Sequence, residues 1–240
     1  MGMKHTRAGI FLAGVIVFLL TAGIMVVLQP PLPGAAVPGV GTDGVILEGV
    51  PDVMQSQTWS CGAGSFKAVL NYYGISSFES DLITLLNTTP SHGTYPWDMV
   101  NASEKLGLVA EWRENVTLDD VHASLQKGVP VIIDGQRYQD ANKTWEDTWD
   151  AGHYMVIIGL DDSTVYLEDP ALLGSRLAVP RDTFLSLWHD YESELPIPAG
   201  AHKYYHIGVF IKGTVPTHRP AYITITDHYP TVWKDQIVPI

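Results

Sequence analysis

The chain holds a single cysteine, Cys61, in the stretch Gln55–Gly74, and its setting suits a nucleophile. Ser60 stands where a helix N-cap belongs, and Phe66, Val69, Leu70 and Tyr73 recur behind it at helical spacing. Cys61 then falls in the first helical turn. There, free backbone N–H groups and the positive end of the helix dipole favour thiolate over thiol. A lone cysteine is equally a small buried hydrophobe, so the assignment depends on partners elsewhere in the chain.

A thiolate attacking an amide needs a base held in one tautomer, and donors for the oxyanion that forms. His153 opens an apolar run, His153–Leu160. After a turn at Asp161-Asp162-Ser163 the run Thr164–Glu168 returns, and Asp169 follows it. In such a hairpin the start of one strand adjoins the end of the next. His153 and Asp169 therefore meet at one sheet edge, where the carboxylate can orient the imidazole. His153 is one of nine histidines, so alone it carries little weight; with Cys61 and Asp169 it completes a nucleophile–base–orienter set. The oxyanion donors are the Cys61 backbone N–H and the side-chain amide of Gln55, six residues upstream. Gln57 is a rival donor, nearer to the nucleophile and expected to point elsewhere.

The elements that must position these groups follow from the same pattern. Beyond the Cys61 helix, helices are expected over Ser76–Leu86, over Pro96–Leu106 with Gly107 as C-cap, over Thr117–Lys127 with Thr117 as N-cap and Gly128 as stop, and over Arg181–Trp188. Strands are expected at Val129–Asp134, His153–Leu160, Thr164–Glu168, His206–Lys212 and Tyr222–Thr226. Gln136–Ala151, with Trp145 and Trp149, reads as a long exposed loop that either walls a cleft or packs on itself. Helices first and strands later, with a hairpin, give an α+β domain.

Taken in order, Q-x5-C-G-A before the N-Y-Y-G helix end, G-H-Y-x-V-I-I-G and E-D-P resemble the C39 family of cysteine peptidases, papain-like domains best known from bacteriocin-processing exporters. HGTYPWDM, the EKLGL helix end and GVPVII extend the likeness from about Val50 to Trp188. The resemblance implies a papain-like fold, an N-terminal helical lobe packed on an antiparallel sheet. It also implies Cys61 as nucleophile, His153 as general base, Asp169 as orienting carboxylate and Gln55 as oxyanion donor, with no cofactor. The chain departs from the exporter pattern: it carries no P-loop and no fused ABC transporter, so the leader-peptide substrate is not carried over.

Residues 1–7 are short and basic, and the uncharged run 8–28 is long enough to cross a bilayer, with 29–44 as a Pro/Gly linker and 45–240 as the peptidase domain. An uncleaved single-pass anchor with the domain outside is favoured; the alternative is a secreted protein whose signal is removed. Sequons at Asn87, Asn101, Asn115 and Asn142 fit an exported domain. Acidic side chains number 26 against 14 basic, a net charge of −12, which excludes nucleic acid as the expected partner. Peptide or protein substrates and the membrane remain. Acyl transfer by the same triad, or an inactive peptide-binding module, are the competing functions. Asp140, Asp147 and Asp150 lack calcium-loop spacing, and His202 with His206 lie at the start of a strand, so no metal is expected.

Overall fold

A computed structural model describes residues 44–139, 141–174, 176–192 and 199–217. The apolar run 8–28, the linker up to residue 43, Asp140 and the expected strand 222–226 lie outside them. Among the described residues no helix is long and apolar enough to cross a membrane.

In chain order the elements are β1 (Val45–Ile46), α1 (Cys61–Tyr72), α2 (Glu79–Leu85), α3 (Pro96–Lys105), β2 (Val109–Arg113), α4 (Leu118–Leu125), β3 (Val131–Gln136), β4 (Gly152–Leu160), β5 (Thr164–Glu168), β6 (Leu177–Pro180), α5 (Arg181–Leu187), β7 (His189–Tyr191), β8 (Lys203–Tyr205) and β9 (Gly208–Lys212). Seven strands form one antiparallel sheet in the order β2-β9-β3-β4-β5-β6, with β1 added on β4; β7 and β8 pair separately. The fold is α+β, as expected from the order of elements.

The expected N-terminal helical lobe packs on the sheet, and two later helices add a layer on its opposite face. Helices α1, α2 and α3 cover one face of the sheet, packing Phe66, Val69, Leu70, Leu82 and Met99 on Tyr154, Val156 and Ile158. Helices α4 and α5 cover the other, packing Val121, Leu125, Phe184 and Leu187 with Met155 and Ile157. Strand β4 is apolar at consecutive positions because both of its faces are covered. Each of these fully buried aliphatic or aromatic side chains contributes roughly 1.5–3 kcal/mol through burial.

Local chemistry sets the boundaries. Thr117 and Asp120 form a reciprocal capping box on α4, each side chain accepting from the other's backbone N–H. Asp161 Oδ1 accepts from the N–H groups of Ser163 and Thr164, both at 2.8 Å, which closes the β4–β5 turn. Ser60 occupies the N-cap position of α1, but its side chain does not cap the helix. Its hydroxyl lies 2.6 Å from Glu79 Oε1 and 3.0 Å from the Gln57 carbonyl instead. Strand β3 runs two residues further than expected, so Gln136 is a fully buried sheet residue, not the start of a loop. Its Nε2 donates to the His189 carbonyl, and its Oε1 accepts the Ala151 N–H, which ties the residue before β4 back onto the end of β3. Trp145 is buried within that segment and Trp149 packs on His189, so the segment is far from fully exposed.

Candidate active site

Helix α1 crosses strand β4 so that Cys61, at its first position, reaches the beginning of the strand. Ser65, one turn further on, donates to the Tyr154 carbonyl at 3.0 Å and locks that crossing. Small residues permit it. A Cβ on Gly62 would stand 2.4 Å from Thr94 Oγ1, and one on Gly64 would stand 2.7 Å from Pro170 Cβ. The C-G-A-G sequence therefore lets the helix start nestle against both the 88–94 turn and the segment after β5.

His153 bonds Cys61 on one side and Asp169 on the other. Its Nε2 donates to Asp169 Oδ1 at 2.6 Å, which leaves Nδ1 for the sulfur. The hairpin supplies this contact: Val156 pairs with Glu168, so the residue after Glu168 lies beside the start of β4. Burial opposes charging the imidazole, but the Asp169 and Cys61 charges and their hydrogen bonds outweigh it and push the His153 pKa up to about 9. For Cys61, burial favours the neutral thiol. The His153 charge and hydrogen bond, with the N–H groups of Tyr154 and Gly62, prevail and lower its pKa. Both shifts favour a thiolate–imidazolium pair over a neutral thiol and imidazole.

Asp169 is almost wholly enclosed, its side chain 1% exposed. Burial raises its pKa, and the charges and hydrogen bonds of His153, Arg137 and the Ala171 N–H more than reverse this, holding it far below the ordinary carboxylate range. The Ala171 N–H donates to Oδ1 at 2.8 Å, and Arg137 Nε donates to Oδ2 at 2.8 Å. Sequence reasoning missed Arg137, which stood in a stretch taken for loop. Its only signal was position, directly after a strand that pairs with the His153 strand.

Gln55 sits against the same helix start, its Cβ side facing Gly64. Its backbone N–H donates to the Pro170 carbonyl at 2.7 Å, and Val53 N–H donates to Glu168 Oε1 at 2.8 Å. Arg176 pairs with Glu168 and with the Val50 carbonyl, so the segment bearing Gln55 is tied along the segment bearing Asp169. The Gln55 side-chain amide donates to the Gln57 carbonyl at 2.6 Å, and its Oε1 is buried without a partner. One N–H of that amide remains for another acceptor. Gln57 is exposed and is engaged through its backbone, accepting from Gln55 and donating to Ser60 Oγ.

Two adjoining depressions flank the cysteine–histidine pair. One, of about 660 Å³, is lined by Gln55, Arg137, Gly152, His153 and Leu172. The other, of about 440 Å³, is lined by Trp59, Cys61, His92, Asp134, Tyr154 and Asp190. Asp134 and Asp190 bond to each other there; burial and the Asp190 charge raise the pKa of Asp134, which favours its protonated form. The depressions have Thr58, Asp150 and Gly152 in common, which makes them one cleft running past Cys61.

A model of the Peptidase_C39 like family matches residues 47–195, well over half of the chain. The chain belongs to the C39-like peptidase family. A C39-like peptidase from Bacillus anthracis superposes on it with a TM-score of 0.53 and 20% identity, covering 70% of this chain and 98% of that one. At that identity the likeness speaks for the C39-like fold alone. Among relatives, an uncharacterised protein of Methanothermobacter thermautotrophicus is 33% identical over 132 residues, 55% of this chain and 78% of its own length. Another, from Methanothermobacter marburgensis, is 29% identical over 137 residues, 57% of this chain and 81% of its own. The C39-like match takes in Gln55, Cys61, His153, Asp169 and Arg137 alike.

Proposed function

We propose that this chain is a cysteine peptidase in which Cys61 is the nucleophile, His153 the general base and acid, Asp169 the orienting carboxylate and Gln55 an oxyanion donor. The observation that carries the reading is the continuous Cys61–His153–Asp169 hydrogen-bond chain at the floor of an open cleft. The thiolate attacks a peptide carbonyl, and the oxyanion accepts from the Cys61 N–H and the Gln55 amide. The Cys61 N–H, at the first helical position, has no intrahelical acceptor to compete for it. Gln55 exchanges its present contact with the Gln57 carbonyl, or uses its second N–H, to take part. Collapse of the tetrahedral species breaks the C–N bond, and the amine leaves with the His153 proton. His153 then deprotonates water, which hydrolyses the thioester and frees the acid. The apolar run 8–28 and the sequons support an extracytoplasmic, membrane-anchored setting with peptides or proteins as substrates.

The test uses the full-length chain, where labelling can only report on Cys61 because no other cysteine exists. Iodoacetamide should alkylate it well below the ordinary thiol pKa of roughly 8.5, and a peptide library should yield new N-termini that disappear in Cys61→Ala. Gln55→Ala should lose turnover by roughly 10²–10³ while alkylation stays near wild type, since alkylation forms no oxyanion. Labelling that follows an ordinary thiol would sink the proposal. Products that carry an added amine acceptor in place of water would redirect it to acyl transfer.

A further inference from the structure

The hydrolytic reading uses four residues, and Arg137 adds a fifth group to the site. Cys61, His153, Asp169 and Arg137 alternate in sign, each bonded to the next, with Asp169 the most enclosed and Arg137 again at the cleft wall. Asp169 has two oxygens with distinct tasks. Oδ1 faces His153 and the Ala171 N–H, and Oδ2 is held by Arg137. The guanidinium is itself confined, 10% exposed, with its carbon 4.6 Å above the Tyr138 ring. It is anchored by its position immediately after β3, whose Gly135 pairs with His153. One short stretch thus fixes both the imidazole's strand and the orienting carboxylate.

We propose that Arg137 is a positioning residue of the active site: it fixes the rotation of Asp169, and its charge makes the row neutral so that the thiolate–imidazolium pair persists at lower pH. The reasoning is electrostatic. With Arg137 the row carries −, +, − and +, a net charge of zero. Without it the row is left with an excess negative charge, which favours uptake of a proton at Cys61 and retention of the proton on His153. Both ionisations then move the same way, to higher pH. The other titratable groups nearby are Asp134 on β3, Asp190 and Tyr191 on β7, Tyr154 on β4, Asp150 in the segment before β4 and His92 in the 88–94 turn. Apart from His92 all of these are acids, and Arg137 is the cation bonded to the row through Asp169. A single substitution there has no local substitute.

This inference rests on the cysteine-peptidase reading, and the experiment separates the two. The rate of Cys61 alkylation by iodoacetamide in the full-length chain is followed from pH 4 to 10. It should rise once as the ion pair forms and again, near pH 9, as the imidazolium loses its proton. Arg137→Gln should shift both steps upward by on the order of half to one pH unit, whereas Arg137→Lys should leave both near wild type. Steps that coincide in wild type and Arg137→Gln would overturn the inference while leaving the peptidase reading intact. Equal shifts in the glutamine and lysine variants would overturn it too, because a purely structural role ignores charge. Should Arg137→Gln not fold, Arg137→Lys decides by itself: a shift of half a unit or more refutes the role of charge. Absence of the lower step in wild type would instead remove the peptidase reading.

Discussion

Ser65 Oγ donates to the Tyr154 carbonyl at 3.0 Å, and this single bond ties the helix that starts with Cys61 to the strand that starts beside His153. Both residues are buried, so the bond is not exchanged with water. Ser65→Ala leaves that carbonyl without its side-chain donor and should cost about 1–2 kcal/mol of stability, seen as a lower urea midpoint. Alkylation of Cys61 at pH 6 should slow several-fold, since the helix start is then free to drift from the imidazole. Unchanged alkylation would mean that apolar packing alone holds the crossing.

The ion pair leaves a signature in stability against pH. Unfolded, His loses its proton near 6.5 and Cys near 8.5. Folded, His153 holds its proton to about pH 9 and Cys61 has given its own up at lower pH. A raised His pKa contributes stability that is complete below about 6.5 and is lost as pH rises toward 9; a lowered Cys pKa contributes stability that is complete above about 8.5 and is lost as pH falls. Wherever that window of roughly 6.5 to 8.5 lies above the lowered Cys61 pKa, both states bind one proton across the pair, the two slopes cancel, and the wild-type curve should be flat. In Cys61→Ala the thiol part is gone and His153 keeps only the upward push of Asp169 against its burial, so the cancellation fails and the curve should acquire a slope in that window. Parallel urea-midpoint curves for the two proteins would exclude the pair. At the acid end Asp169, depressed in the fold, contributes stability that is lost as pH falls below about 4, and Asp169→Asn should flatten that limb.

Gly64 marks the closest approach of α1 to the residues after β5. An alanine there would put its methyl carbon 2.7 Å from Pro170 Cβ and 3.4 Å from Gln55 Cβ. Proline cannot yield by rotating, so the helix and the 169–171 segment must separate, at a cost of about 1–3 kcal/mol. Because that segment bears Asp169 and accepts the Gln55 N–H, Gly64→Ala should lower Tm and peptide turnover together. A variant that lost stability yet kept full turnover would show that the site tolerates the separation.

What the sequence by itself determined was local. Helical spacing behind Cys61, the N-cap at Thr117, the Asp161 turn and the return of the hairpin each depend on residues a few positions apart, and each is where the pattern put it. Because a hairpin fixes its own register, even the His153–Asp169 contact was legible. The tertiary structure decided what depends on distant neighbours. Ser60 looked like a cap, but Glu79, nineteen residues away, claims its hydroxyl. Strands β2 and β6 carried too little alternation to read, and they exist because β9 and β5 offer them free edges. Covering of both sheet faces made β4 apolar throughout, which hid where each helix would pack. Arg137 became part of the site only when β3 was set against β4, since a guanidinium finds its carboxylate across 32 residues of chain through the fold, not through spacing.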